Sequence, residues 1–296
     1  MEYEKLSLSV LEQYLGSPER NRNDEIEWQC PICAEEGNDN SRDNLKYNTQ
    51  KEVLYCFANP QHSKEILKRI YKDIGANRKN QEEFIDSQLG CLLLELFSKY
   101  RTNLLNLDKF KKEEFSNMLY EKRGITFDTA EDVGLGFCFE TWNWAIPSFK
   151  YSSSDDFPVV TGFEFRPFDF SKDVTKSSEF KSCLSMINAY GRETEILAIV
   201  EGYLDGYSLF QYLRECNQEQ FYHIVTPSNG AQSLLKQISV INFDKYKKWY
   251  LFLDNDDVGN DVATQVLDKY PFFVQMKLNC GCKDFNEHYL KCILNV

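Results

Sequence analysis

No stretch of this sequence is apolar for long enough to cross a bilayer, and Met1-Glu2-Tyr3-Glu4-Lys5 does not open a signal peptide. Secretion and membrane insertion are therefore not expected, and a cytoplasmic location is. Positive charge is also lacking. The 296 residues carry a formal net charge of −12, and residues 1–75, 76–189 and 190–296 each come to about −4. A chain so balanced does not coat nucleic acid by bulk electrostatics, so any contact with a polyanion must be local. Bound cations would neutralise part of the acidity. The third absence is an oxidising compartment. Without one, the ten cysteines read as reduced thiols with one metal site among them.

What the chain does have is two short apolar runs that end in acid. Trp249 to Leu253 stops at Asp254-Asn255-Asp256-Asp257-Val258-Gly259. A run that short reads as a buried strand, and α/β sheets place their sites at the carboxyl ends of strands. Asp254 and Asp256 are two residues apart, so in an extended chain both side chains point the same way. Converging carboxylates repel unless a cation lies between them, and hard oxygen ligands suit Mg²⁺ or Mn²⁺. Helix-capping aspartates in a solvated loop are the plainer alternative.

Glu195 to Val200 is the second run, and it ends at Glu201-Gly202 ahead of a helical pattern over 203–214. Further apolar runs at 222–225 and 272–278 alternate with helical patterns at 231–240 and 258–269. Alternation of this kind predicts right-handed crossovers in a mostly parallel sheet.

These elements resemble the signature of the Toprim family, strand-Glu-Gly followed by strand-Asp-x-Asp-x-x-Gly. Ile199-Val200-Glu201-Gly202 and Asp254-Asn255-Asp256-Asp257-Val258-Gly259 match it. Val225-Thr226-Pro227-Ser228-Asn229-Gly230-Ala231 occupies the place of the family's small glycine turn, and Lys283-Asp284-Phe285-Asn286-Glu287 resembles its late K-D-x-N-[DE] element. The resemblance implies a divalent-ion site of Glu201, Asp254, Asp256 and Asp284. Glu201 would complete that shell or act as general acid/base.

Nearer the N-terminus, residues 5–16 have a helical pattern with Leu8, Leu11 and Leu15 on one face. Cys30 and Cys33 follow in C-x2-C spacing, then Cys56 and His62 in C-x5-H spacing. A hairpin over Asn44 to Thr49 and Glu52 to Phe57 would bring the second pair back to the first. Four N/S donors in a tetrahedron suit Zn²⁺, whose binding would stabilise a module with little core. Lys46, Tyr47, Tyr55 and Phe57 on the hairpin could touch phosphates or stack on bases, or form small-domain core. The module resembles the CHC2-like zinc ribbon of DnaG-type and phage-type primases. That family shows C-x2-H then C-x2-C, so the different order here leaves the fourth ligand open.

Between the two lie a helical pattern over 63–80, a polar stretch at 77–81 read as a boundary, and an apolar helix over 91–100. The charge run 109–114 reads as a solvated helix face. Tyr120 to Ile125 and Gly134-Leu135-Gly136 resemble the primase element Y-L-x-x-R-G-I…GLG, and Gly162-Phe163-Glu164-Phe165-Arg166 resembles its G-F-x-x-R. Strands are expected over 142–149 and 159–167 around a turn at 152–156. The resemblance implies that Arg123 and Arg166 contact nucleic acid, with Lys46 and Tyr55 on the hairpin and, more loosely, Lys172, Lys176 and Lys181. The segment between Arg166 and Glu201 is shorter than in a full primase.

The expectation is a zinc ribbon over 1–75, linker helices and an α+β primase-type subdomain over 76–189, and an α/β Toprim domain over 190–296. Cys280, Cys282 and Cys292 have no matching C-x-C partner and read as ordinary thiols. The resemblance implies a DNA primase that makes RNA primers on single-stranded DNA from NTPs, with Zn²⁺ structural and Mg²⁺ or Mn²⁺ catalytic. Its partners would be the template and a replicative helicase. No helicase portion follows His288, which suggests a stand-alone protein of a phage or mobile element. A Toprim nuclease and a non-catalytic DNA- or partner-binding adaptor are the alternatives.

Overall fold

The computed structural model describes residues 8–22, 24–39, 41–51, 53–73, 78–152, 159–171, 173–178 and 180–295, and the side chains among them other than residues 60 and 71–88. Lys172, most of the turn expected at 152–156 and the start of the helix expected at 5–16 fall outside. The chain forms two compact units, Met1–Leu96 and Phe97–Val296. Among the described residues no helix is long and apolar enough to cross a membrane.

In the first unit α1 (Leu8–Leu15) precedes β1 (Arg20–Arg22), β2 (Glu25–Trp28), α2 (Pro31–Glu35), β3 (Leu45–Asn48), β4 (Val53–Cys56) and α3 (Pro60–Asp73). The four strands pair antiparallel in chain order, with Leu45 opposite Cys56 in the hairpin. Leu11 of α1 and Ile66, Leu67 and Ile70 of α3 meet Ile26, Trp28, Leu45 and Leu54 in one small core. Pro31 opens α2, where a missing N–H costs nothing. The polar stretch at 77–81 is no linker beyond residue 77. Arg78 starts α4 (Arg78–Leu105), because its Arg, Lys, Gln and Glu residues are good helix formers with no glycine or proline among the first turns.

The second unit continues with α5 (Lys109–Arg123), capped by Asp108 and closed by Gly124 in the left-handed region, and α6 (Phe127–Asp132). Then come β5 (Gly136–Cys138), β6 (Asn143–Lys150), β7 (Val160–Pro167), β8 (Thr175–Lys176) and β9 (Leu184–Met186). They are followed by β10 (Ile196–Val200), α7 (Tyr203–Glu215), β11 (Tyr222–Pro227), α8 (Ala231–Gln237), β12 (Lys248–Phe252), α9 (Asp257–Lys269), β13 (Val274–Gln275) and α10 (Phe285–His288). A π-helical stretch, Tyr289–Leu294, follows α10 directly.

All nine strands of this unit among the described residues form one sheet, ordered β13-β12-β10-β11-β9-β6-β7-β8, with β5 also on β6. Pairing is parallel from β13 to β11 and antiparallel beyond, so the sheet as a whole is mixed. The mostly parallel sheet expected from the sequence is its C-terminal part. The sequence-based division at 189/190 falls between β9 and β10 of this continuous sheet.

Strand β10 is buried on both faces. Ala198 and Val200 enter a core with α5, α6, α7 and α10, while Leu197 and Ile199 enter another with α8 and α9. The chain passes from β10 to β11 on one side and then crosses back to β12 on the other. That reversal opens a crevice at the carboxyl ends of β10 and β12.

Candidate functional site

The parallel register sets Val200 beside Phe252, so both acid-bearing loops leave the sheet at one level. Glu201 reaches across the crevice, and its Oε2 accepts a 3.0 Å hydrogen bond from the Asp254 backbone N–H. Asp254 is nearly buried, and its Oδ2 lies 2.9 Å from Lys283 Nζ. The same ammonium is 3.9 Å from Asp256 Oδ2. Asp256 also caps α9, accepting from Gly259 N at 2.9 Å, and Asp284 caps α10, accepting from Glu287 N at 2.7 Å. The helix-cap alternative is thus realised for Asp256 and Asp284, while Glu201 and Asp254 meet.

The titration of Glu201 and of Asp254 follows from this crowding. Glu201 is raised above the usual carboxylate range by burial and by Asp254 and Asp256, while the Asp254 N–H and Lys283 pull the other way. Asp254 is raised by burial and by Asp284 and Asp256, against the opposing Lys283. Lys283 is itself raised, chiefly by its hydrogen bond to Asp254.

Two further residues hold the edge together: Asp205, which the sequence pattern did not single out, and Asn286, the asparagine of the K-D-x-N-[DE] element. Asp205, one turn along from Glu201 in α7, is raised to about 7 by burial and by Asp284, with Asp254 and Glu201 adding to it. Its only signal was an acid in the first turn of the helix expected after Glu201. Asn286 is buried and donates from its backbone N to Asp205 Oδ1 at 3.0 Å. Its side-chain amide donates to Arg123 O at 2.8 Å and to Ser208 Oγ at 2.6 Å. Asn286 therefore locks α10, and with it Asp284, onto α7 and the end of α5.

An acid whose folded pKa is raised stabilises the fold at low pH and loses that contribution as pH climbs through the folded value. Asp205 should therefore make stability fall between about pH 4, its unfolded value, and pH 7. Without divalent ions, Asp205→Asn should raise the melting temperature relative to wild type more at pH 8 than at pH 5. A gap independent of pH would refute the assignment.

Gly259 seals the turn from β12 into α9. A Cβ there would lie 2.2 Å from the Asp254 carbonyl oxygen, which is rigid backbone. Gly259→Ala should destabilise the fold by about 2–3 kcal/mol, measured by urea denaturation, and should displace Asp254.

The first unit holds the other site. Cys30, Cys33, Cys56 and His62 are buried, and their ligand atoms all lie within 4.8 Å of one another. His62 Nδ1 is 3.1 Å from Cys33 Sγ and 3.7 Å from Cys30 Sγ, and the Cys33 and Cys56 sulfurs are 3.5 Å apart. His62 thus lies where a fourth donor would, the position that the departure from the family's order left open. Its other nitrogen, Nε2, lies 3.4 Å from Glu36 Oε1, which orients the ring. Asp39 accepts from Cys30 N at 2.7 Å and braces the knuckle. Soft donors in this arrangement fit Zn²⁺.

Of the residues expected to touch nucleic acid, Lys46 is paired with Glu27 at 2.9 Å, and Tyr55 is buried with its hydroxyl donating to Glu25 at 2.7 Å. The exposed aromatic on that hairpin is Phe57. Arg166 pairs with Glu164 at 2.8 Å. Arg123 donates to the neutral Asn286 Oδ1 at 3.1 Å and lies over the Phe170 ring, and burial and Arg166 pull its pKa down.

A family model described as Toprim-like matches residues 198–289, which contain Glu201, Asp205, Asp254, Asp256, Asp284 and Asn286. These residues form a Toprim-like domain. Among solved structures, the primase fragment of the bacteriophage T7 primase-helicase is similar at 19% identity and TM-score 0.44, over 57% of this chain and 67% of that one. A chain from the complex of the bacteriophage T7 lagging-strand DNA polymerase with primase domains bound to an RNA/DNA hybrid and dTTP is similar at 20% identity and TM-score 0.45. It covers 57% of this chain and 82% of that one. Comparison with curated proteins finds no match. The Toprim-like domain carries the acidic edge, and the three-cysteine, one-histidine cluster lies outside it.

Proposed function

We propose that the protein is a primase-like nucleotidyltransferase that joins ribonucleotides on a single-stranded DNA template. The observation that carries this reading is the meeting of Glu201 and Asp254 across the crevice between β10 and β12, beside the Lys283 ammonium. Nuclease and polymerase chemistry both need such an edge. The primase-type segments around Arg123, Gly134 and Arg166, and the ribbon-like cluster before them, favour the polymerase.

In this reading Asp254, Asp256 and Asp284 hold a divalent ion, with Glu201 and Asp205 close by. The raised pKa values of Glu201, Asp205 and Asp254 fit a cation at this edge, since burial and mutual repulsion are what it relieves. Mg²⁺ or Mn²⁺ bound there would lower the pKa of the attacking hydroxyl and neutralise phosphate charge. Glu201, with its raised pKa, is suited to accept the proton of the primer 3′-hydroxyl. Lys283 holds a positive charge against Asp254 and can turn to a triphosphate oxygen. Arg123 and Arg166 form the local basic feature that an acidic chain needs to hold a template, and the zinc module would select the start site with Phe57 as its stacking group.

The test is purified protein with labelled NTPs, a mixed-sequence DNA oligonucleotide and Mg²⁺ or Mn²⁺. Short labelled products that depend on template support the proposal. Shortening of the oligonucleotide without product would make the protein a nuclease, and neither outcome would leave it an adaptor. Both results overturn the polymerase reading.

A further inference from the structure

Directly before Lys283 the chain carries Cys280-Gly281-Cys282, and directly after it α10 ends in His288, with Cys292 four residues on. Three sulfurs and one ring nitrogen from these residues all lie within 4.8 Å of one another. Cys280 Sγ is 3.1 Å from His288 Nδ1, and Cys282 Sγ is 3.8 Å from Cys292 Sγ. Zn–S bonds of ~2.3 Å and a Zn–N bond of ~2.0 Å, set tetrahedrally, give edges of about 3.8 Å between sulfurs and about 3.5 Å from sulfur to nitrogen.

The N-terminal cluster provides a standard within the same molecule. Four of its six donor pairs lie 3.1 to 3.9 Å apart and all lie within 4.8 Å, with the same donor set and the same imidazole nitrogen.

The local structure is arranged for convergence. Gly281 has φ +76°, a left-handed turn that L side chains rarely adopt, and it bends the chain so that both flanking thiols meet one point. His288 and Cys292, at i and i+4 on continuous helix, lie on one face. Core packing does not explain the group, because Cys280 and Cys292 are exposed. A disulfide between Cys282 and Cys292 would leave the Cys280–His288 approach without a purpose.

We propose that Cys280, Cys282, His288 and Cys292 bind a second structural Zn²⁺, in a C-x-C-x5-H-x3-C site that clamps the Lys283–Asp284 loop. The loop between the two halves of this site is the one that reaches the acidic edge. Lys283 O accepts from Asn255 N at 2.6 Å, and Lys283 N donates to Glu287 Oε2 at 2.6 Å. A metal holding Cys282 on one side and His288 on the other fixes the backbone from which Lys283 and Asp284 project. The proposal rests on donor geometry and stands whether or not the acidic edge performs polymerase chemistry.

Zinc content of the reduced full-length protein, by elemental mass spectrometry, tests it. Two equivalents per chain are expected, falling to one in the double variant Cys280→Ser/Cys292→Ser and to one in Cys33→Ala. One equivalent in wild type, unchanged by the double variant, would overturn the proposal. Should the double variant fail to fold, wild type alone decides by thiol alkylation. The exposed Cys280 and Cys292 should resist iodoacetamide until a chelator is added. Immediate alkylation of both with metal retained elsewhere would sink the site.

Discussion

Asp254→Asn is expected to reduce the proposed divalent-ion-dependent primer synthesis on the order of 10²–10³-fold or more, with no loss of thermal stability. The side chain is nearly buried, and its carboxylate is held at a cost that burial, Asp284 and Asp256 impose. Asparagine keeps the shape and removes the charge. The partner left behind, Lys283, is largely exposed and can rehydrate, so losing the 2.9 Å pair costs little. Activity and stability should therefore separate. Primer yield across a Mg²⁺ titration, beside melting curves in chelator, makes the measurement. Activity within about threefold of wild type would remove Asp254 from the chemistry. A large drop in melting temperature would mean that the change acted through folding.

Cys33→Ala should have the largest structural effect. Its sulfur lies between Cys56 at 3.5 Å and His62 at 3.1 Å, so the variant cannot complete a four-donor shell. Structural zinc contributes about 10–16 kcal/mol to modules of this kind, more than a small core supplies alone. The first unit has such a core, built around Leu11, Trp28, Leu45 and Ile66. Limited proteolysis should digest the chain up to about residue 96 and spare a fragment beginning near Phe97, the division between the two units. An unchanged digestion pattern would show that this unit folds without metal.

The acid-bearing edge was legible because short apolar runs ending in carboxylates have few other uses. Strands β10 and β12 end within one residue of where those runs do. The run at 272–278 misled. Only Val274 and Gln275 pair as a strand, because Phe272 and Phe273 join Phe243, Trp249 and Tyr270 in an aromatic cluster instead. Composition cannot distinguish a run that pairs from one that packs. Asp205 looked like any polar position on a helix, and only the docking of α10 gives it its hydrogen bond from Asn286 N. On the hairpin, alternation puts Tyr55 and Phe57 on one face, but β4 is buried throughout and ends at Cys56, so Tyr55 is covered while Phe57, just past the strand, is exposed. His288 was not read together with the three cysteines because three cysteines invite counting in pairs, whereas the helical H-x3-C spacing is what brings His288 and Cys292 together.

The strand order also bears on how this protein comes into being. Glu201 and the Asp254 amide that it binds are separated by 53 positions in the chain, and β11 is laid down between them on the opposite flank of β10. During synthesis the glutamate emerges well before its counterpart exists, and the two are joined only when the second crossover closes. Long-range closures of that sort are slow steps in folding. A nascent or partly folded chain would thus present isolated carboxylates to water until β12 docks and α10, which emerges later still, brings Asp284 to the same edge.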